Sequence, residues 1–217
     1  LPGGVVDFLF AGRAPLPRLV AGSDRSGGMD AYPHLKILIS LILGLAITRV
    51  LSGLSRRVQQ PAWTEGMFSQ IVWSLVLLLG AVHFWWWEFA LRRVDTWHFG
   101  AYVFVLSYAS LHFLMATLLY PDALPDHAES ERFFMRRRGL FFGLFGLSFA
   151  FDLGDTLLKG TAHLQGLGPE YPIRLGLGVL AAILALRARS SRAVGLIGLA
   201  WLVYDLSWII RRYDGLD

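Results

Sequence analysis

Five long stretches dominated by apolar residues, separated by short polar breaks, organise this chain. They run Leu35–Leu54, Met67–Leu91, Phe99–Tyr120, Gly139–Leu158 and Ala193–Ile210. A helix needs about 20 apolar residues to cross a hydrocarbon layer of ~30 Å, so each stretch predicts a membrane-spanning helix. A sixth, Tyr171–Leu186, is shorter and contains glycine ("RLGLGVLAAILALR"), with Arg174 and Arg187 13 positions apart. Crossing there requires both arginines to snorkel to the interfaces; the alternative is a re-entrant or interfacial helix. The expected fold is all-α, a polytopic transmembrane helical bundle with six spans, the fifth in order short. Breaks such as "QQP", "YPDALP" and "GLGPEYP" mark tight connections and leave no room for a soluble catalytic domain.

Composition agrees with the pattern. Hydrophobic residues make up 55% of the chain and charged ones 17%, with a mean hydropathy of +0.51, far more apolar than a soluble domain. The net charge of +4 does not indicate nucleic acid, because the cations sit in short clusters at the ends of apolar runs and not on one continuous face. Cysteine is absent, which excludes disulfides, thiolate-ligated haem, iron–sulfur clusters and cysteine nucleophiles.

Residues 1–28 differ from the rest, with nine glycines and prolines. They read as a flexible N-terminal extension ahead of a transmembrane domain over 29–217, open to the reading that the natural chain starts at Met29. The segment lacks the basic, apolar and small-residue succession of a cleavable signal peptide. Orientation follows from the cations. With six spans, Arg49, Arg56, Arg57, Arg132, Arg136, Arg137, Arg138, Arg187, Arg189 and Arg192 lie on one side. Lys36, Arg92, Arg93, Lys159, Arg174, Arg211 and Arg212 lie on the other. The positive-inside rule then places both termini outside, although Arg13, Arg18 and Arg25 would equalise the counts if the extension belongs to the chain. "ALRRVD" and "IIRRYD" close the second and last spans alike, which we read as shared interface chemistry and not as an inverted repeat.

Ionisable groups inside a bilayer are costly unless paired or hydrated. The candidates are His83, Glu88, His112, Asp152, Asp155 and Asp205. Counting back from each cationic flank at ~1.5 Å per residue places all but His112 within about 6–14 Å of one membrane face. Glu88 and Asp155 precede Arg92 and Lys159 by four residues, the order of a local helical ion pair. Asp152 and Asp205 have no such cation and need a partner from another helix, water or a bound ion. With Tyr204 and Trp208 flanking Asp205, the set predicts a polar cavity. His83 and His112 admit a bis-histidine haem reading, but counting places them ~8 Å apart in depth, which favours hydrogen-bonded core histidines. "WWW" at Trp85–Trp87 marks a membrane interface, with Trp87 and His83, four apart, turned inward. Asp126, His127, Glu129 and Glu131 read as the acidic start of a helix and not as a metal site.

"SLILGLAITRVLSGLSRRV" at Ser40–Val58, "FWWWEF" at Phe84–Phe89, "TWHF" at Thr96–Phe99 and "LLYPDAL" at Leu118–Leu124 together resemble a group of small bacterial multi-pass membrane proteins of unassigned activity. The resemblance covers about the first three helices and the start of the fourth. It implies the bacterial inner membrane and Met29 as the start, and nothing about chemistry.

The expected role is therefore a transporter or channel component for a proton, cation or small cationic solute, using the acidic layer. The alternatives are a non-catalytic accessory or assembly subunit and, behind it, a metal-dependent membrane enzyme. No cofactor and no nucleic-acid partner is expected; the expected partners are the lipid bilayer and either a second copy or a membrane-complex subunit.

Overall fold

The computed structural model describes residues 31–59, 65–94, 97–120 and 127–213. The N-terminal extension, Met29 and Asp126 lie outside the described residues, as do the side chains of His127, Glu129 and Glu131. Tyr32–Asp217 forms one compact unit. Among the described residues there are seven α-helices and no strand: α1 (Ala31–Val58), α2 (Glu65–Trp87), α3 (Phe99–Leu119), α4 (His127–Leu158), α5 (Thr161–Gly166), α6 (Glu170–Arg187) and α7 (Ser191–Tyr213). A 3-10 segment, Glu88–Arg93, continues α2. Five helices, α1 to α4 and α7, are long and apolar enough to cross a membrane, and the protein is an all-α helical bundle.

α6 falls outside that set by composition, since it carries Glu170, Arg174 and Arg187. Its packing shows how far it reaches. Arg174 near its start bonds Asp152 of α4, while Arg138 of α4 donates to the carbonyl of Ala188 just past its end, at 2.7 Å. Fourteen residues separate Arg138 from Asp152 and Arg174 from Ala188, so α6 lies antiparallel to α4 over about 21 Å.

Small residues set the closest helix contacts, as in membrane bundles generally. α2 and α7 run parallel: Ser69 and Ser191 share a hydroxyl hydrogen bond of 3.0 Å, and the Trp73 indole donates to the carbonyl of Val194 at 3.1 Å. A Cβ on Gly198 would stand 2.9 Å from the Trp73 ring, so this approach needs glycine. Phe141, Phe142 and Phe145 of α4 meet Trp73 edge-on, with ring centres 5.6, 4.8 and 5.2 Å away. α3 pairs with α4 through Phe104 stacked on Phe151 and with α2 through Tyr108 against Phe84. Helices α2, α3, α4, α6 and α7 thus close a ring.

α1 lies against this ring by one stripe. Leu35, Ile39, Leu43, Ala46 and Val50 are buried at three- and four-residue spacing, while Ile37, Leu41, Leu45 and Leu51 are exposed, the division expected of a helix between protein and lipid. Its middle is pinned by Trp85 donating to Ser40 Oγ at 3.1 Å and Arg49 donating to the Tyr120 carbonyl at 3.2 Å.

Candidate functional site

Two buried ionic clusters occupy the end of the bundle where α2, α4 and α7 finish and α6 begins. In the first, Arg174 of α6 donates through Nε to Asp205 Oδ1 of α7 at 2.8 Å and through Nη1 to Asp152 Oδ2 of α4 at 3.0 Å. All three residues are at most 6% exposed. The guanidinium also lies over Trp208, 4.5 Å from the ring centre, and 6.0 Å from that of Trp201. Arginine suits this place because its planar fork meets two acids while its face stacks on an indole.

In the second, Lys159 bonds Asp155 one turn back on α4, Glu88 Oε1 at 3.3 Å and the carbonyl of Trp87 at 3.2 Å. The Trp87 indole donates to Asp155 at 3.1 Å. Tyr171 donates its hydroxyl to the Asp152 carbonyl at 3.2 Å and shares a hydrogen bond of 2.7 Å with Thr156, holding the start of α6 against α4. Glu88 Oε2 and Asp155 Oδ1 are buried with no hydrogen-bond partner among the described residues.

Beside the Arg174 cluster lies an internal cavity of about 60 Å³, room for a few waters. Asp152, Asp205, Arg174, Ser148, His83 and His112 supply its polar lining. Trp87, Phe84, Tyr108, Phe149 and Trp201 wall it in, and the buried Val76, Leu77 and Met115 border its inner part. His112 Nδ1 is buried without a hydrogen-bond partner among the described residues, while His83 Nε2 lies 3.4 Å from the Tyr213 hydroxyl.

The sequence-predicted residues fall into three places. Asp152, Asp205, His83 and His112 line the cavity; Glu88 and Asp155 sit on Lys159; Trp208 lies beneath Arg174. Tyr204 does not line the cavity, and its hydroxyl is buried without a partner among the described residues.

Two expectations need correction. Glu88 does not pair with Arg92: it is buried, and the 3-10 tightening after Trp87 turns it to Lys159 while Arg92 stays exposed. Arg174 does not snorkel to an interface, because two carboxylates from neighbouring helices hold it inside. His83 and His112 line one cavity, which is far too small for a porphyrin.

Of the three tryptophans, Trp85 and Trp86 are exposed and Trp87 is buried, its ring centre 5.7 Å from that of His83. The expected pair of Asp155 with Lys159 one turn on is present; sequence reasoning missed that Lys159 also takes Glu88 and that Arg174 holds Asp152 and Asp205. The available signal was that two unpaired in-span acids require a cation, and Arg174 lies inside an apolar run. Among the described residues no three His, Asp or Glu side chains converge as a metal site.

These features define a polytopic helical membrane protein with a buried ionic layer. No protein-family model, curated protein or solved structure matches the chain.

Proposed function

We propose that this protein binds protons at its buried ionic layer and passes them to the internal cavity, as the proton-conducting or proton-coupled component of a transporter or channel. One observation carries the reading: four buried carboxylates, Asp152, Asp155, Asp205 and Glu88, share two buried cations, Arg174 and Lys159. Excess negative charge at low dielectric is strongly unfavourable, so the layer calls for small positive occupants. The adjoining cavity has room for waters and not for an organic cation. A hard metal ion wants six or more oxygen ligands, whereas the oxygens here already serve an arginine and a lysine. A proton fits best. His83 and His112 offer acceptor nitrogens across the cavity, and the apolar layer of Val76, Leu77 and Met115 has to be wetted by a rearrangement before a proton could leave toward the arginine-rich end.

The cation bias supports placing that end on the cytoplasmic side, and the resemblance to bacterial multi-pass proteins supports an inner membrane as the setting. The test is flux. Purified protein in liposomes with a trapped pH dye should acidify the lumen under an imposed potential, and Asp152→Asn and Asp205→Asn should each abolish the signal while leaving the protein folded. A silent wild type, copurifying with a membrane partner that these substitutions release, would replace this reading with that of an accessory subunit.

A further inference from the structure

The other end of the bundle carries a second, larger cleft, of about 690 Å³, between α1, α3 and α4. Arg49 and Arg56 of α1 and Arg137 of α4 line it together with the hydroxyl of Ser52. Arg49 is held in place by its bond to the Tyr120 carbonyl. Arg56 Nε is buried without a hydrogen-bond partner among the described residues. No carboxylate lines the cleft among the described residues. Thr48, Thr117 and Tyr120 also line it, and its apolar wall is formed by Leu45, one turn before Arg49, Phe113, Leu118 and Phe133. Leu45 is 53% exposed on the outward face of a helix that crosses the membrane, so the cleft opens toward lipid.

A site for a free anion needs the arginines and nothing else. Here cationic forks and a hydroxyl continue into an apolar wall facing the acyl region, and the volume is several times what a phosphate ion fills. Guanidinium forks match phosphate oxygens two at a time, and basic pockets between membrane helices on the cytoplasmic side are places where anionic headgroups bind. We infer that this cleft seats the headgroup phosphate of an anionic phospholipid from the leaflet at the arginine-rich end, with an acyl chain lying along Leu45 and Phe113. The lipid joins α1 to α4 at that end.

Delipidated full-length protein in a neutral detergent, titrated with phosphatidylglycerol or phosphatidylcholine and read by native mass spectrometry, tests this directly. Phosphatidylglycerol should be retained and phosphatidylcholine lost. Arg56→Gln and Arg137→Gln should each weaken retention about fivefold, the scale of one basic contact to an anionic membrane, and Arg137→Lys should weaken it less, since an ammonium keeps the charge but not the fork. Arg137 is exposed, so its replacement spares the fold, which unchanged elution and helical circular dichroism would verify. Equal retention of the two lipids, or undiminished retention by the double glutamine variant, overturns the inference. So does displacement of the lipid by millimolar inorganic phosphate, which would make the cleft a free-anion site.

Discussion

The guanidinium of Arg174 lies over the Trp208 indole, 4.5 Å from the ring centre. That contact covers one face of a cation buried among α4, α6 and α7 and leaves its edge for Asp152 and Asp205. Removing the cation strands two carboxylates. Arg174→Gln should therefore destabilise by about 3–5 kcal/mol, the cost of breaking a buried ion pair from one side. Arg174→Lys should recover only part of this, because a point charge does not reach both acids while stacking on the indole. Combining Arg174→Met with Asp152→Asn and Asp205→Asn should restore most of the stability. Thermal unfolding in detergent would measure all three, and a triple variant no more stable than Arg174→Gln would show that packing, not charge, holds α6 in place.

Lys159 poses the converse question, since one ammonium serves two acids. Lys159→Met leaves both without a cation and should cost several kcal/mol. Glu88→Gln should cost less than about 1 kcal/mol, because Asp155 keeps the nearer contact and an amide still accepts a hydrogen bond. Arg92→Gln, at an exposed position, should fall within about 0.5 kcal/mol of wild type. The ordering is diagnostic: a Glu88 effect as large as that of Lys159 would make Glu88 and not Asp155 the lysine's principal partner.

Sequence and structure agree where one physical rule dominates. Length and hydropathy mark the spanning helices because lipid leaves a backbone no other way to satisfy its hydrogen bonds. Counting from the cationic flanks places the acids at one end because helical rise is fixed. Spacing also gave Asp155 its partner Lys159, but the partners of the other acids were not legible: whether Glu88 meets Arg92 or Lys159 depends on a 3-10 turn that re-aims one side chain, and no periodicity encodes it. Arg174 looked interfacial because its position near the start of a short apolar run is also where snorkelling arginines sit. Its inward rotamer is decided by Asp152 and Asp205, 22 and 31 residues away in sequence.

The approach of α2 to α7 makes a prediction of opposite signs at two glycines. A Cβ at Gly198 would press on Trp73 and Val72, so Gly198→Ala should destabilise by about 1–3 kcal/mol through overpacking. Gly143 of α4 is exposed with open space around it, and Gly143→Ala should stabilise by up to about 1 kcal/mol through helix propensity. Unfolding of the two variants side by side in one detergent would check the pair. A neutral Gly198→Ala would mean that the two helices are not in close contact.

A pH dependence follows from His163 of α5, outside the spanning helices. Its ring stands edge-on to Trp87, with centres 5.3 Å apart. Partial burial lowers its pKa below the usual 6.5, and the nearby charges of Lys159, Arg212 and Arg93 lower it further. The folded protein thus favours the neutral imidazole, while the unfolded chain takes up a proton below pH 6.5. Because the unfolded state binds more protons in that range, stability falls as pH drops through 6.5 toward the lowered folded value, and the contribution is fully present above 6.5. His163→Gln removes this contribution. Wild type should lose more thermal stability than His163→Gln between pH 7.5 and 5.5, with the melting-temperature difference between them shifting against wild type on acidification. Parallel melting curves for the two proteins would place the imidazole in solvent, with no burial against Trp87.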